Sequence, residues 1–138
     1  GDVYKRQKKY DVVIHSAAVS DFRPKKIFFG KISSKIKQLN LVLVPTPKIV
    51  DQIKKWDSKV FLVKFKVEAN LPKKQLIEKA FQSMLFSKAD LMVANNVADM
   101  GPKKHIAYII DREKNVIKCK TKEEIAKKLL KKISKTLS

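Results

Sequence analysis

The densest candidate chemistry in this sequence lies between Asp11 and Pro24. Val12-Val13-Ile14 is an uninterrupted β-branched run, the pattern of a strand buried on both faces. Side-chain volume then collapses across Ser16, Ala17 and Ala18, so a ligand can approach the backbone closely, as it does at glycines. Asp21, Phe22 and Arg23 follow at once: an acid, a ring and a cation. Ligands of open α/β sheets sit beyond the carboxyl ends of the strands, which makes this exit a candidate binding edge. The same residues fit an ordinary strand-to-loop exit in which Asp21 caps a turn, and pattern alone does not separate the two.

Further candidates lie downstream. Thr46 is a good N-cap and Pro47 a good first helical residue, with Ile49, Val50 and Ile53 forming one apolar face. The free amides of such a helix start form an anion site, supplemented by Lys48, although every capped helix has such an end. Lys25 to Lys37 is basic and aperiodic, and reads as a mobile flap over anionic groups or as a solvated loop. The adjacent Phe28 and Phe29 favour a partner surface over full solvation. Other chemistries are poorly served. His15 and His105 are isolated and Cys119 is the sole cysteine, so no zinc site can be assembled. Ser16 and Ser20 have no evident partner base, which argues against a hydrolase triad.

The elements that must position these residues are read from periodicity. Leu39 to Val44 alternates as a strand, and Val60 to Phe65 is a buried strand in which Lys64 is a local irregularity. After Pro72, the residues Leu76, Ile77, Ala80, Phe81, Met84 and Leu85 keep a helical period, a stripe that belongs to the core. Asp90 precedes a strand Leu91-Met92-Val93-Ala94 that ends in Asn95-Asn96. Ile106 to Ile110 and Val116 to Cys119 flank a hairpin loop from Asp111 to Asn115. Thr121 to Glu124 is a capping box opening a last helix, which packs through Ile125, Ala126, Leu129, Leu130 and Ile133 and carries lysines on its solvated face. This alternation predicts an α/β fold: a Rossmann-like, mostly parallel sheet with flanking helices and a C-terminal β-hairpin. Gly1, Gly30 and Gly101 are the only glycines, so the Gly-rich phosphate loop that follows the first strand of a doubly wound fold is absent. That absence fits a domain incomplete at its amino terminus.

With 138 residues the chain is one domain's worth. It has no apolar run of about 18 residues, and its single cysteine suits a reducing, cytoplasmic setting. The net charge of +19 invites a nucleic-acid partner. Yet among the basic residues only Arg6, Arg23 and Arg112 are arginines, and phosphate and base readers favour the guanidinium fork. An almost all-lysine excess reads better as coding bias, and would still draw in small polyanions. Residues 1–7 stand apart. Asp2 to Gln7 can be back-translated as GAT GTG TAT AAG AGA CAG, which resembles a transposon end used in sequencing libraries, so native sequence is expected to begin near Lys8; a flexible basic terminus is the alternative.

Several stretches together resemble one family. Ala17-Ala18-Val19-Ser20-Asp21-Phe22 resembles its AAVxD(Y/F) signature, Gly30-Lys31-Ile32 its (E/G)KI flap, and Thr46-Pro47-Lys48-Ile49 its (N/T)P-x-I helix start. Phe65-Lys66-Val67-Glu68 and Ala94-Asn95-Asn96-Val97 resemble its GFxxE and ANDV strand ends. The family is phosphopantothenoylcysteine synthetase, the phosphopantothenate–cysteine ligase of coenzyme A synthesis. The resemblance runs from about Tyr10 to the carboxyl end, so residues 8–138 read as a partial ligase domain.

The resemblance implies substrates: 4′-phosphopantothenate, L-cysteine and a nucleotide, usually CTP, with Mg2+. An acyl-cytidylate forms before cysteine attacks. FMN belongs only to a decarboxylase domain often fused upstream. It also implies roles: Asp21 at the triphosphate and its cation, Ala17 and Ala18 against the cytosine, and Lys31 as the catalytic flap lysine. Thr46, Pro47, Lys48 and Ile49 would border the nucleotide, and Phe65 would line the pocket. A homodimer through the flap, with Phe28 and Phe29 in its interface, is implied as well.

The departures are specific. The family's ITNxSSG-like stretch, with its acyl-intermediate asparagine, and its GG turn lie upstream of what this chain carries. Two phosphate-binding lysines of some members align with Ser83 and Ser87, leaving Lys79 or Lys88 as substitutes. Asn96 stands for Asp, Lys64 for Gly, and the FxSDxN loop is reduced to Met100-Gly101-Pro102-Lys103-Lys104. A fragment keeping part of the nucleotide site, with little or no turnover alone, is the expectation. A basic nucleic-acid-binding module and another Rossmann-like enzyme, such as an NAD-dependent dehydrogenase, are the competing readings.

Overall fold

The structure is a computed structural model that describes residues 11–15, 22–24, 43–45 and 48–137. It divides into a larger unit, residues 1–16 with 49–138, and a smaller one, residues 17–48. In the smaller unit, β2 (Phe22–Pro24) and β3 (Leu43–Pro45) form an antiparallel ribbon that sets Phe22 opposite Pro45 and Pro24 opposite Leu43. Only the end of the strand expected over residues 39–44 falls among the described residues.

The larger unit is built on a sheet of β1 (Val12–His15), β4 (Phe61–Glu68), β5 (Leu91–Asn96), β6 (Ala107–Asp111) and β7 (Val116–Cys119), in that spatial order. The strands β1, β4 and β5 run parallel, while β6 and β7 return as an antiparallel hairpin. The sheet is therefore mixed, parallel where β-branched runs alternate with helices and antiparallel at the expected hairpin. Asp111 forms the turn of that hairpin, its carboxylate accepting from the amides of Glu113 (3.0 Å) and Asn115 (2.8 Å). Partial burial pushes the Asp111 carboxyl up, but the Asn115 bonds and Lys132 pull it below its usual range.

Alternation along β4 sends its side chains into two separate cores. On one face Val60 and Leu62 pack with Met92, Ile110 and the buried Leu76, Ala80 and Met84 of α2 (Lys73–Ser87). On the other, Phe61 and Val63 pack with Val93, Ile109 and Cys119 under Ile125, Leu129 and Ile133 of α3 (Lys122–Leu137). Each helical stripe is narrower than its periodicity suggests. Leu85 and Leu130 are exposed, the latter by 62%, and Ala126 is exposed too, because one flat sheet face accepts only the innermost row of a helix. No helix among the described residues is long and apolar enough to cross a membrane.

Two helix ends differ from simple expectation. The helix expected to open at Thr46-Pro47 is, in the described residues, a 3-10 turn (Ile49–Asp51) followed by the single-turn α1 (Ile53–Trp56). Its N-cap is Gln52, with no side-chain bond. The β-branched Ile49 and Val50 weaken helix initiation, and so short an element lacks the summed dipole that an anion site requires. The second is the C-terminus of α2, which closes with the Ala89 amide bonded to Met84 O (3.0 Å) and the Lys88 amide to Leu85 O (3.2 Å). This arrangement puts Lys88 in the left-handed region (φ 56°), where glycine is the usual occupant. Lys88→Gly is expected to stabilise the chain by about 0.5–1 kcal/mol. The measurement is the urea midpoint, and an unchanged midpoint would mean that this backbone conformation carries no cost.

Candidate functional site

The parallel strands end at His15, Glu68 and Asn96, the edge where a ligand of an α/β sheet is expected. Register sets Glu68 beside Asn96. Asn96 is buried, and its amide grips the loop between β4 and α2 at both ends of one residue. Its Oδ1 accepts from the Leu71 amide (3.0 Å), and its Nδ2 donates to the Leu71 carbonyl (2.8 Å). The neighbouring Asn95 is buried as well and donates to Asn96 O (3.4 Å).

Glu68 is held by Lys79 (3.0 Å) and Lys66 (3.5 Å). Partial burial pushes its carboxyl up, but the Lys79 hydrogen bond and the Lys66 charge outweigh that and hold it below the ordinary glutamate range. The strand tips therefore carry a carboxylate fixed between two lysines and two buried amides, an edge that can hold polar and anionic groups.

Among the other residues singled out from sequence, Lys48 is half-buried and has a partner, and Ile49 is exposed at the start of the 3-10 turn. Phe65 packs against the core under α3 and sits opposite Val93, within β4 and short of its tip. Ala17, Ala18, Asp21, Lys31, Thr46 and Pro47 lie outside the described residues, as do Phe28 and Phe29. No group of three or more His, Cys, Asp or Glu side chains that could hold a metal occurs among the described residues. Of the two lysines considered as phosphate-binding substitutes, Lys79 stands at the strand tips with Glu68. Lys88 stands at the far end of α2, where its carbonyl accepts from Arg112 (2.7 Å). Two clefts also lie at that far end, sharing Phe61, Asp90, Arg112 and Thr136 in their walls. They open at the amino ends of the parallel strands, away from the candidate edge.

One polar cluster escaped the sequence reading. Lys64, flagged only as an irregularity in a buried strand, is 8% exposed and faces α2. Its Nζ donates to Asp51 Oδ1 (3.0 Å), Ser83 O (3.3 Å) and Ser87 Oγ (2.5 Å), and Ser87 Oγ donates to the same Asp51 oxygen. Ser87 is thus a buried partner within the fold. The signal was present as two oddities, a lysine in an apolar strand and a serine on the core side of a helix, but nothing in one dimension joined them to Asp51.

The sequence matches the family described as DNA/pantothenate metabolism flavoprotein C-terminal domain over residues 1–137. It is 40% identical over 131 residues to the coenzyme A biosynthesis bifunctional protein CoaBC of Thermococcus kodakarensis, which covers 94% of this chain and 32% of that protein. The chain thus spans about a third of the length of the curated relatives it matches. The fold superimposes on the DNA/pantothenate metabolism flavoprotein of Streptococcus pneumoniae with a TM-score of 0.85 and 30% identity, over 98% of this chain and 67% of that one. It also superimposes on the C-terminal domain of a CoaBC protein, with a TM-score of 0.72 and 25% identity, over 99% and 60% of the two chains.

Two measurements follow from the strand tips. Asn96→Asp removes the donor to Leu71 O and sets a carboxylate against that carbonyl, so a loss of about 1–3 kcal/mol is expected in urea denaturation. For Glu68, a depressed folded-state pKa adds stability that is complete above the unfolded value of 4.5 and is lost as pH falls through the lower folded value. The stability gap between the parent chain and Glu68→Gln should therefore be widest near neutral pH and shrink as pH falls below 4.5. A gap independent of pH would contradict the ion-paired state of Glu68.

Proposed function

The chain belongs to the DNA/pantothenate metabolism flavoprotein C-terminal domain family, and from that premise we propose that it is the nucleotide-binding part of a phosphopantothenate–cysteine ligase domain. The observation that carries this reading is the match along almost the whole chain to CoaBC proteins, together with the ordered motifs at Ala17–Phe22, Gly30–Ile32, Thr46–Ile49, Phe65–Glu68 and Ala94–Val97.

In the proposed reaction a carboxylate oxygen of 4′-phosphopantothenate attacks the α-phosphorus of CTP. The bond to the β-phosphate breaks and pyrophosphate leaves. The cysteine amine then attacks the acyl carbon and loses a proton, and CMP leaves with the electrons of the broken carbon–oxygen bond. Protein groups contribute chiefly alignment and charge neutralisation to such nucleotidyl transfer. Asp21 would hold Mg2+, which is commonly bound through one or two carboxylates and the substrate phosphates. The cation would supply charge neutralisation at the triphosphate. Ala17 and Ala18 would admit the cytosine against the backbone, and Lys31 would reach the phosphates. Thr46 to Ile49, with Lys48 as a point charge, would border the nucleotide, and Phe65 would wall the pocket. A homodimer through the flap belongs to the same proposal.

Titration with CTP–Mg and with a short DNA duplex at two salt concentrations tests it. Selective binding of CTP over the other nucleoside triphosphates, on the order of micromolar, is expected, weakened about tenfold or more by Asp21→Asn. Duplex binding with a steep salt slope and no response to CTP would replace this reading with that of a nucleic-acid-binding module.

A further inference from the structure

We propose that Lys64 is a positioning residue for the nucleotide edge: its ammonium clasps Asp51 and Ser87, and so fixes the turn that opens directly after Lys48. The inference deepens the nucleotide reading and rests on it.

The turn from Ile49 to Trp56 has few means of holding its orientation. Its apolar anchors are the buried Val50 and Ile53 and the partly buried Trp56, which share a core cluster with Leu62 and Met84. Apolar contact is non-directional, so these side chains alone do not fix the orientation of a short element. Direction comes from two polar anchors. At one end, Lys54 reaches Asp90 (2.8 Å). At the other, Asp51 receives Lys64 from the strand and Ser87 from α2, and the remaining described acceptor of Lys64 is the carbonyl of Ser83. An ammonium has three protons to donate, and Asp51, Ser83 and Ser87 are among their acceptors.

The placement matters more than the bond energy. Lys64 lies within β4, the strand flanked on both sides by parallel neighbours, and is among the least mobile places from which a charge can be presented. Its stem is fixed by the sheet, and Ser87 is 1% exposed. A carboxylate held from two such directions sets the pose of its own backbone. Asp51 closes the 3-10 turn whose first residue, Ile49, follows Lys48 in the chain. Ile49 is the last residue of the stretch proposed to border the nucleotide, so the clasp sets the pose of that residue's own turn.

The test uses Lys64→Met, Lys64→Arg and the triple variant Lys64→Met/Asp51→Leu/Ser87→Ala, which removes the polar groups while keeping an apolar filling. Two readouts are needed. Amide hydrogen exchange over residues 49–57 should accelerate in Lys64→Met while the amides of β4 and β5 stay protected, and Lys64→Arg should restore protection. CTP–Mg affinity should fall about tenfold or more in Lys64→Met and in the triple variant, with the triple variant keeping a thermal midpoint close to that of the parent chain.

Exchange that rises uniformly across the sheet would reduce Lys64 to a general stability residue and overturn the proposal. So would a folded triple variant that binds CTP as the parent does. If the parent chain binds no nucleotide, the reading of the site fails first and the clasp's role in it falls with it. The exchange pattern still reports separately whether the clasp orders the turn.

Discussion

A strand with parallel partners on both sides and a helix over each face has no water to satisfy its polar groups. Every one of them must find a protein partner. The first half of β4, Phe61 to Lys64, is in that position, while Val67 near its end is exposed, and much of the described fold answers to that buried half. At its start the Leu62 amide donates to Asp90 Oδ2 and the Leu62 carbonyl accepts from the Asp90 amide, both at 2.8 Å. One aspartate thus extends the pairing of β4 with β5 and gathers Lys54 and Arg112 (3.1 Å) at the sheet's lower rim. In the middle, Lys64 draws Asp51 and Ser87 together. At the upper rim, Glu68 collects Lys66 and Lys79, and Asn96 secures Leu71. These three tiers carry the polar load, while the apolar faces between them hold the helices in place.

The strands were legible because their signals are local. The β-branched run at Val12 to Ile14 does form a strand, but not one buried on both faces: β1 lies at the edge of the described sheet and Ile14 is 48% exposed, because burial depends on neighbours that a local run does not encode. Asp111 to Asn115 reads as a hairpin because the aspartate can cap amides within its own turn. Thr121 was equally legible as the cap of the last helix, and its Oγ1 accepts from the Glu124 amide (3.1 Å). What failed was whatever depended on how wide a face the sheet would offer. Leu85 and Leu130 keep the helical period but fall outside the strip that the sheet covers. The turn at Ile49 failed for a related reason. Its cap and apolar spacing were in place, but β-branched residues after a proline do not sustain a helix unless tertiary contacts extend it, and these contacts hold only a turn.

At the candidate site, the two ends of the sheet were legible to different degrees. Asn95 and Asn96 could be placed at a strand end from sequence because strand ends are where apolar runs stop, whereas the run at Val60 to Phe65 stops short of Glu68, to which β4 extends. Their partners could not, since Leu71 and Lys79 approach from the following loop and helix. Lys64 was the hardest of all. Its partners are separated from it by 13, 19 and 23 positions in the chain, and none carries a pattern that a linear reading isolates.

The departures from the family pattern can be judged on the same physical ground. Lys64 and Asn96, two buried positions that depart from the motifs this chain resembles, would each cost stability if left unsatisfied. Each instead has partners that fit it. An aspartate at 96 could accept from the Leu71 amide but could not donate to the Leu71 carbonyl, and only an amide side chain does both. Lys64 finds a carboxylate, a hydroxyl and a carbonyl arranged around its ammonium, and the hydroxyl belongs to Ser87, itself one of the positions that departs from the pattern. Among the described residues the one buried side-chain atom without a partner is His105 Nδ1, which belongs to neither cluster. A buried polar group costs the fold most when it lacks a partner, and both of these side chains have theirs in place.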